Sequence, residues 1–292
     1  MSKPYKDLKP AKYFPVSEKP LSMSPGINHF GTDFGNGERD LLYFQRDAQF
    51  SIYIETKKQV ETDRHWAFFE NDQHKLLHQK AINWILKKQE VELAIKPSEV
   101  HLETANSQVN LLETYTELSF NVQEDIALIA DQPASLIMGN ISMPSFWAPQ
   151  RIKGANFWQI HQPVPTFPRD EITGNRLVSL ISSKGPYVRF VWTVANDDRL
   201  DHHPDKGRTS WQEDQKLYLR VERQVTIPFE GLGALFLIRT YLYSFSELTQ
   251  TELNILKTAI KSMPENIARY KGLWDGKDVI VDQINQLNGL AG

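Results

Sequence analysis

The nine residues from Leu217 to Val225, LYLRVERQV, constrain the fold more than any other stretch, because a run rich in aliphatic and aromatic strand formers carries three charges. In a strand, alternation sends Leu217, Leu219, Val221, Arg223 and Val225 to one face and Tyr218, Arg220, Glu222 and Gln224 to the other. One face is then aliphatic with a single arginine in it. Such an arginine has to snorkel, pair with a carboxylate, or meet an anion, an oxygen-bearing ligand or a cofactor propionate. An internal salt bridge or an edge-strand charge satisfies the same pattern.

The flanking sequence predicts an antiparallel meander. Tyr187 to Val194, Lys216 to Ile227 and Ala234 to Tyr243 read as strands separated by turn signals that include FEGLGA. Thr114 to about Met143 reads as further strands, with turns at Gln123 to Asp125 and Asp131 to Pro133, and both Gly139-Asn140 and Gly231 to Gly233 read as hairpin turns. Pro144 and Ser145 open a short helical region. HQPVP ends any helix near Gln162, which puts His161 beside a helix terminus, and a polar loop follows up to Tyr187.

Helical spacing of Leu76, Leu77, Ala81, Ile82, Ile85 and Leu86 predicts an amphipathic helix over Asn71 to Gln89. Thr249 and Glu252 form a capping box for a helix with Leu253, Leu256, Ala259, Ile260 and Met263 as its stripe, ending before Pro264. Residues 1 to about 40, with their Pro, Gly and Lys, read as an extended arm on the domain or as a disordered leader. The expected class is α+β, one domain over 1–292. Its antiparallel sheet core with flanking helices lies at about 114–246, with C-terminal helices at 247–275.

Composition removes whole classes of function. A net charge of −3 and a pI near 6.3 argue against broad electrostatic binding to nucleic acid or an anionic membrane. No window reaches 18 apolar residues and MSKPYKDLKPAKYFPVSEKP has no apolar signal core, so a cytoplasmic protein is expected. The absence of cysteine excludes disulfides, thiolate catalysis, zinc-thiolate sites and cysteine-ligated iron–sulfur clusters within this chain. Without GxGxxG after a strand, Walker A or GxSxG, nucleotide-fold enzymology is not expected.

Three sets of histidines could carry chemistry. His74 and His78 are spaced i, i+4 on the predicted helix but lack the glutamate of HExxH, and two solvated histidines account for them. His202 and His203, in DDRLDHHPDK, could recruit Asp201 or Asp205 around a metal, although adjacent side chains rarely converge and a surface loop accounts for them. His161 follows Phe157, Trp158 and Ile160 and precedes a rigid PVP, so its ring is held near an apolar pocket. That suits an axial haem ligand, and also a buried core histidine. With no CxxCH, a haem here would be b-type and non-covalent.

Six blocks in order then carry a resemblance: VQED at Val122 to Asp125, PSFW at Pro144 to Trp147 with Lys153-Gly154, IHQPVP at Ile160 to Pro165, LRVERQ at Leu219 to Gln224, FLIRTYLY at Phe236 to Tyr243, and YKG at Tyr270 to Gly272. Over roughly residues 30 to 275 the chain resembles the haem-dependent oxidative N-demethylases, a family once known only as a domain of unknown function. The resemblance implies a PAS-like haem b core and NADPH-linked oxidation of a small, dimethylamine-like secondary amine by dioxygen. FMN and a 2Fe-2S cluster are implied in partner subunits that act as the electron-transfer reductase.

Carried over by residue, the resemblance implies His161 as the proximal iron ligand and Trp158, Tyr218 and Arg239 as further cofactor contacts. It places Arg223 and Arg220 in the distal pocket or at the propionates, and gives Glu222 a protonated amine or an ion-pair network. Val191-Trp192 stands where the family favours Asn-Trp, and the DDRLDHHPDK loop is unusually polar; if that position lines the substrate pocket, the amine specificity is altered or lost. A haem-based gas or redox sensor without turnover, and a PAS-like module for another small ligand, are the competing readings.

Overall fold

The computed structural model describes residues 7–17, 26–63, 68–69, 72–97, 111–165, 167 and 170–290. Its strands are β1 (Asn28–His29), β2 (Phe68–Phe69), β3 (Asp125–Asp131), β4 (Ala134–Asn140), β5 (Tyr187–Ala195), β6 (Tyr218–Phe229) and β7 (Gly233–Ser244). All pairings are antiparallel, in the order β1-β5-β6-β7-β3-β4-β2. The LRVERQ block lies within β6, between β5 and β7. The helices are α1 (Phe50–Asp63), α2 (Lys75–Leu93), α3 (Leu111–Ser119), α4 (Phe157–His161), α5 (Glu171–Ser183), α6 (Gln250–Ser262), α7 (Glu265–Lys271) and α8 (Lys277–Leu290). The chain is α+β, with an open antiparallel sheet and helices on both faces.

One face of the sheet is dry. Leu219, Val221, Val225, Leu235 and Leu237 are each fully buried there. At one end this face meets α2 and α3 through Leu77, Ile82 and Leu118, and at the other it meets α6 and α8 through Leu256, Ile260, Ile280 and Ile284. The N-terminal segment adds Ala11, Tyr13 and Val16 to the second cluster, so the expected arm packs into the core where it is described. Residues 1–6 and 18–25 lie outside the described residues.

Two segments differ in kind from their sequence pattern. The strand expected from Thr114 is instead α3, because Leu111, Tyr115 and Leu118 recur at i, i+4 and i+7 and are all buried. The expected polar loop before Tyr187 contains α5, capped by the Asp170 side chain on the Thr173 amide. Gly174 and the β-branched residues weaken that helix by up to ~1 kcal/mol each. Burying Val178 and Ile181 against the sheet returns ~1.5–3 kcal/mol per side chain. Tertiary packing therefore outweighs local propensity.

Smaller corrections follow the same logic. Gly139 and Asn140 close β4 and pair with Ala127 and Ile126 instead of turning a hairpin. The short helical turn expected at Pro144 begins at Pro149, as a 3-10 turn through Ile152. The amphipathic helix starts at Lys75 and runs past Gln89 to Leu93. C-terminal helical structure continues beyond 275 to Leu290, whereas the Thr249–Glu252 capping box forms as expected.

Gly231 to Gly233 do turn the β6–β7 hairpin. A Cβ on Gly233 would lie 2.1 Å from the Ile129 carbonyl oxygen and 2.8 Å from the Leu77 side chain. Gly233→Ala should therefore push β7 off β3 and cost ~1–3 kcal/mol. An unshifted thermal midpoint would show that the strands do not need this close approach.

Candidate functional site

Alternation along β6 separates its two arginines. Arg223 lies on the dry face and donates to the Leu42 carbonyl at 2.8 Å. Arg239, also on that face, is fully buried, pairs with Asp47 at 2.8 Å, and lies 3.9 Å from the Tyr53 ring centroid and 4.9 Å from that of Tyr241. Asp47 in turn holds Gln123 at 3.2 Å, and Glu124 accepts from the Gln45 amide at 2.9 Å. The VQED and FLIRTYLY blocks thus supply a buried polar belt that ties residues 42–47 to the sheet.

The opposite face of β6 presents Tyr218, Arg220, Glu222 and Gln224. Here α4 and α5 cover only part of the sheet, where Phe157 and Val178 pack on Ala127, Ile129 and Leu136. Val191, Glu222, Gln224, Phe236 and Ile238 stay half-buried. A half-covered apolar floor with charges at its edge is the arrangement of a ligand site.

His161 reaches this face from the end of α4. A capping box between Asn156 and Gln159 starts the five-residue helix, and Gln162 ends it. The His161 Nδ1 lies 2.7 Å from the Phe157 carbonyl. A carbonyl only accepts, so Nδ1 carries the hydrogen and Nε2 keeps its lone pair. Burial lowers the ring's pKa to about 4, against the Phe157 bond and with a small push from the nearby Arg189 cation. The ring is packed between Phe157, 4.2 Å away, and Phe167, 4.8 Å away and stacked. A neutral imidazole with a free, oriented Nε2 is the donor that haem iron takes.

Glu222 is held by a second construction. Its Oε1 accepts from the Ser145 hydroxyl at 2.5 Å and its Oε2 from Gln224 at 3.0 Å. The Ser145 oxygen accepts from Arg220 Nε at 2.8 Å, while Arg220 also donates to the carbonyls of Met143 and Leu200 at 2.9 and 3.0 Å. Phe146, with φ +61, turns the PSFW block in the left-handed region, a strained conformation for a bulky residue. Its amide donates to the His202 carbonyl at 3.0 Å, its ring lies 4.6 Å from His202, and the Arg208 guanidinium covers it at 3.6 Å.

The DDRLDHHPDK loop therefore is no solvated surface: His202 and His203 are 0% and 1% exposed. His202 Nε2 bonds Asp197 at 2.8 Å. Burial raises the Asp197 pKa, but hydrogen bonds from His202, Arg199 and Thr209 outweigh it and hold the carboxylate well below its ordinary range. His78 is likewise buried, 3.1 Å from the Tyr115 hydroxyl, not solvated. Among the described residues no cluster of three His, Asp or Glu is placed to hold a bare metal ion.

The residues proposed from sequence thus divide. His161, Glu222 and Arg220 share the half-covered face; Arg223 and Arg239 lie on the other. Trp158 packs across α5, where a Cβ on Gly174 would come within 3.1 Å of its own Cβ. Tyr218 stands four residues from Glu222, ~13 Å along the strand. Burial and the charges of Asp198, Glu247 and Asp197 raise its hydroxyl pKa, which places it by the acidic loop.

Three further residues converge on Glu222. Ser145 and Lys271 lie inside the PSFW and YKG blocks, and Arg189 is a lone charge in the YVRFVW strand, the same signal that singled out Arg223. Lys271 donates its ammonium to the Trp192 carbonyl and sits 5.0 Å over the Trp192 ring.

These residues fit a haem: an oriented neutral nitrogen, an apolar floor and cations at its rim. Among the described residues no helix is long and apolar enough to cross a membrane. The family model described as haem-dependent oxidative N-demethylase, alpha subunit-like, matches residues 53–281, a span that contains His161, Glu222 and all their partners named here, and the chain belongs to that family.

Proposed function

We propose that this chain is the haem b subunit of a cytoplasmic, multi-component monooxygenase that removes a methyl group from a small, dimethylamine-like secondary amine. Electrons come ultimately from NADPH, through FMN and a 2Fe-2S cluster in partner subunits. The lack of cysteine in this chain supports that division, since a cysteine-ligated cluster needs thiolates from elsewhere. The sheet with its half-covered face is read as a PAS-like haem core. The observation that carries the reading is the His161 ring, neutral and held by the Phe157 carbonyl, with no hydrogen bond to Nε2 among the described residues.

Bound haem would supply the redox centre at which dioxygen is reduced and the N-methyl carbon is oxidised to leave as the aldehyde. The protein's own side chains do the rest. His161 would hold the haem iron through Nε2, its orientation and basicity supported by the Nδ1–H bond. Glu222 pairs with the substrate ammonium. Arg220, acting through Ser145, holds the Glu222 carboxylate in one position, so little reorganisation accompanies binding. Val191 stands directly across from Glu222 in the β5–β6 register and sets an apolar wall beside it, suited to an N-methyl group.

The test is the absorption spectrum of protein from haem-replete cells, before and after dithionite and carbon monoxide. A Soret band that moves with both is expected; a featureless spectrum after added hemin refutes the reading. Ser145→Ala should leave that band in place and raise the KM for amine about tenfold, the worth of one hydrogen bond to a charged group. Unchanged amine kinetics would remove Ser145 from the site.

A further inference from the structure

Arg189 stands on the His161 face without a hydrogen-bond or ion-pair partner among the described residues, and its Nε is buried. The groups around it come from three elements. β6 brings Gln224, its register partner, and Glu222. α7 brings Tyr270 and Lys271, and α4 brings His161. Glu222 is the carboxylate of this group, and both its oxygens already accept, from Ser145 and from Gln224. Arg189, Lys271 and Arg220 therefore share one carboxylate among the described residues, which leaves the site with an excess of positive charge.

A guanidinium donor removed from water needs an acceptor, and an excess of positive charge needs an anion. The planar guanidinium fork matches the two oxygens of a carboxylate, with the Lys271 ammonium as a second point charge nearby. We infer that Arg189 and Lys271 form a carboxylate-binding pair that takes a haem propionate. This rests on the haem reading above. The pair would hold the propionate end of the porphyrin on the His161 face, so that the cofactor seats in one orientation.

Protohaem and its dimethyl ester differ only at the propionates, which the ester caps and leaves uncharged, so titrating each into the full-length apoprotein isolates the contact. The readout is the Soret band, with no amine or reductase present. Wild type should bind protohaem about tenfold or more tightly than the diester. Arg189→Met should erase that preference while leaving diester affinity unchanged, Arg189→Lys should keep part of it, and Lys271→Met should reduce it.

Equal wild-type affinity for the two porphyrins overturns the inference and leaves the haem reading standing. So does an Arg189→Met variant that weakens both alike. If the wild type shows no preference but N-methylglycine perturbs the Soret band only when Arg189 is present, the pair serves a substrate carboxylate and the propionate assignment falls. A wild-type chain that takes up neither porphyrin overturns the haem reading and this inference with it.

Discussion

His161→Ala is expected to yield a folded protein that carries no haem. The side chain ends a five-residue helix and is half-buried, so its loss removes the contacts with Phe157 and Phe167 but opens no hole in the sheet core. Far-UV circular dichroism should match the wild type, the Soret band should be absent, and added imidazole should restore part of it. Retention of the full haem spectrum would refute the assignment.

The same residue fixes a pH dependence. Burial lowers the His161 pKa from 6.5 to about 4, so between these values the unfolded chain binds a proton that the folded chain refuses. Stability therefore falls as the pH drops through that window. The apoprotein should lose stability from pH 6.5 towards 4, and His161→Ala should remove that part of the slope. Haem loading, which needs the neutral ring, should hold down to about pH 4.

Arg239→Met is expected to destabilise the fold by ~3–5 kcal/mol, because it leaves the Asp47 carboxylate buried without its cation. Urea denaturation should show a lower midpoint with the slope unchanged. Adding Asp47→Asn should recover part of the loss, since the two residues act as one unit. Haem bound by the variant should keep the wild-type Soret position, as Arg239 lies on the face opposite His161. A variant as stable as wild type but unable to hold haem would return Arg239 to the cofactor.

Local pattern made much of this legible. The three long strands, the Thr249 capping box and the end of α4 at Gln162 all follow from alternation, capping chemistry and the prolines after His161. The opposite faces of Arg220 and Arg223 follow from alternation alone. α3 and α5 were not legible, because a half-alternating apolar run and a helix with Gly174 have no strong local preference until the sheet is there to bury them.

The site itself is a long-range object. Ser145 meets a carboxylate 77 residues away, and Lys271 meets a carbonyl 79 residues away. No spacing rule spans such distances. Residue type and order along the chain established that the three long strands form, that an odd arginine faces a greasy strand, and that one histidine ends a helix before two prolines. The packed molecule settled which face stays half-covered, and so which charges line that face and which are absorbed by the core. The cause is that a buried charge is tolerated wherever a partner arrives, and arrival depends on how distant segments pack.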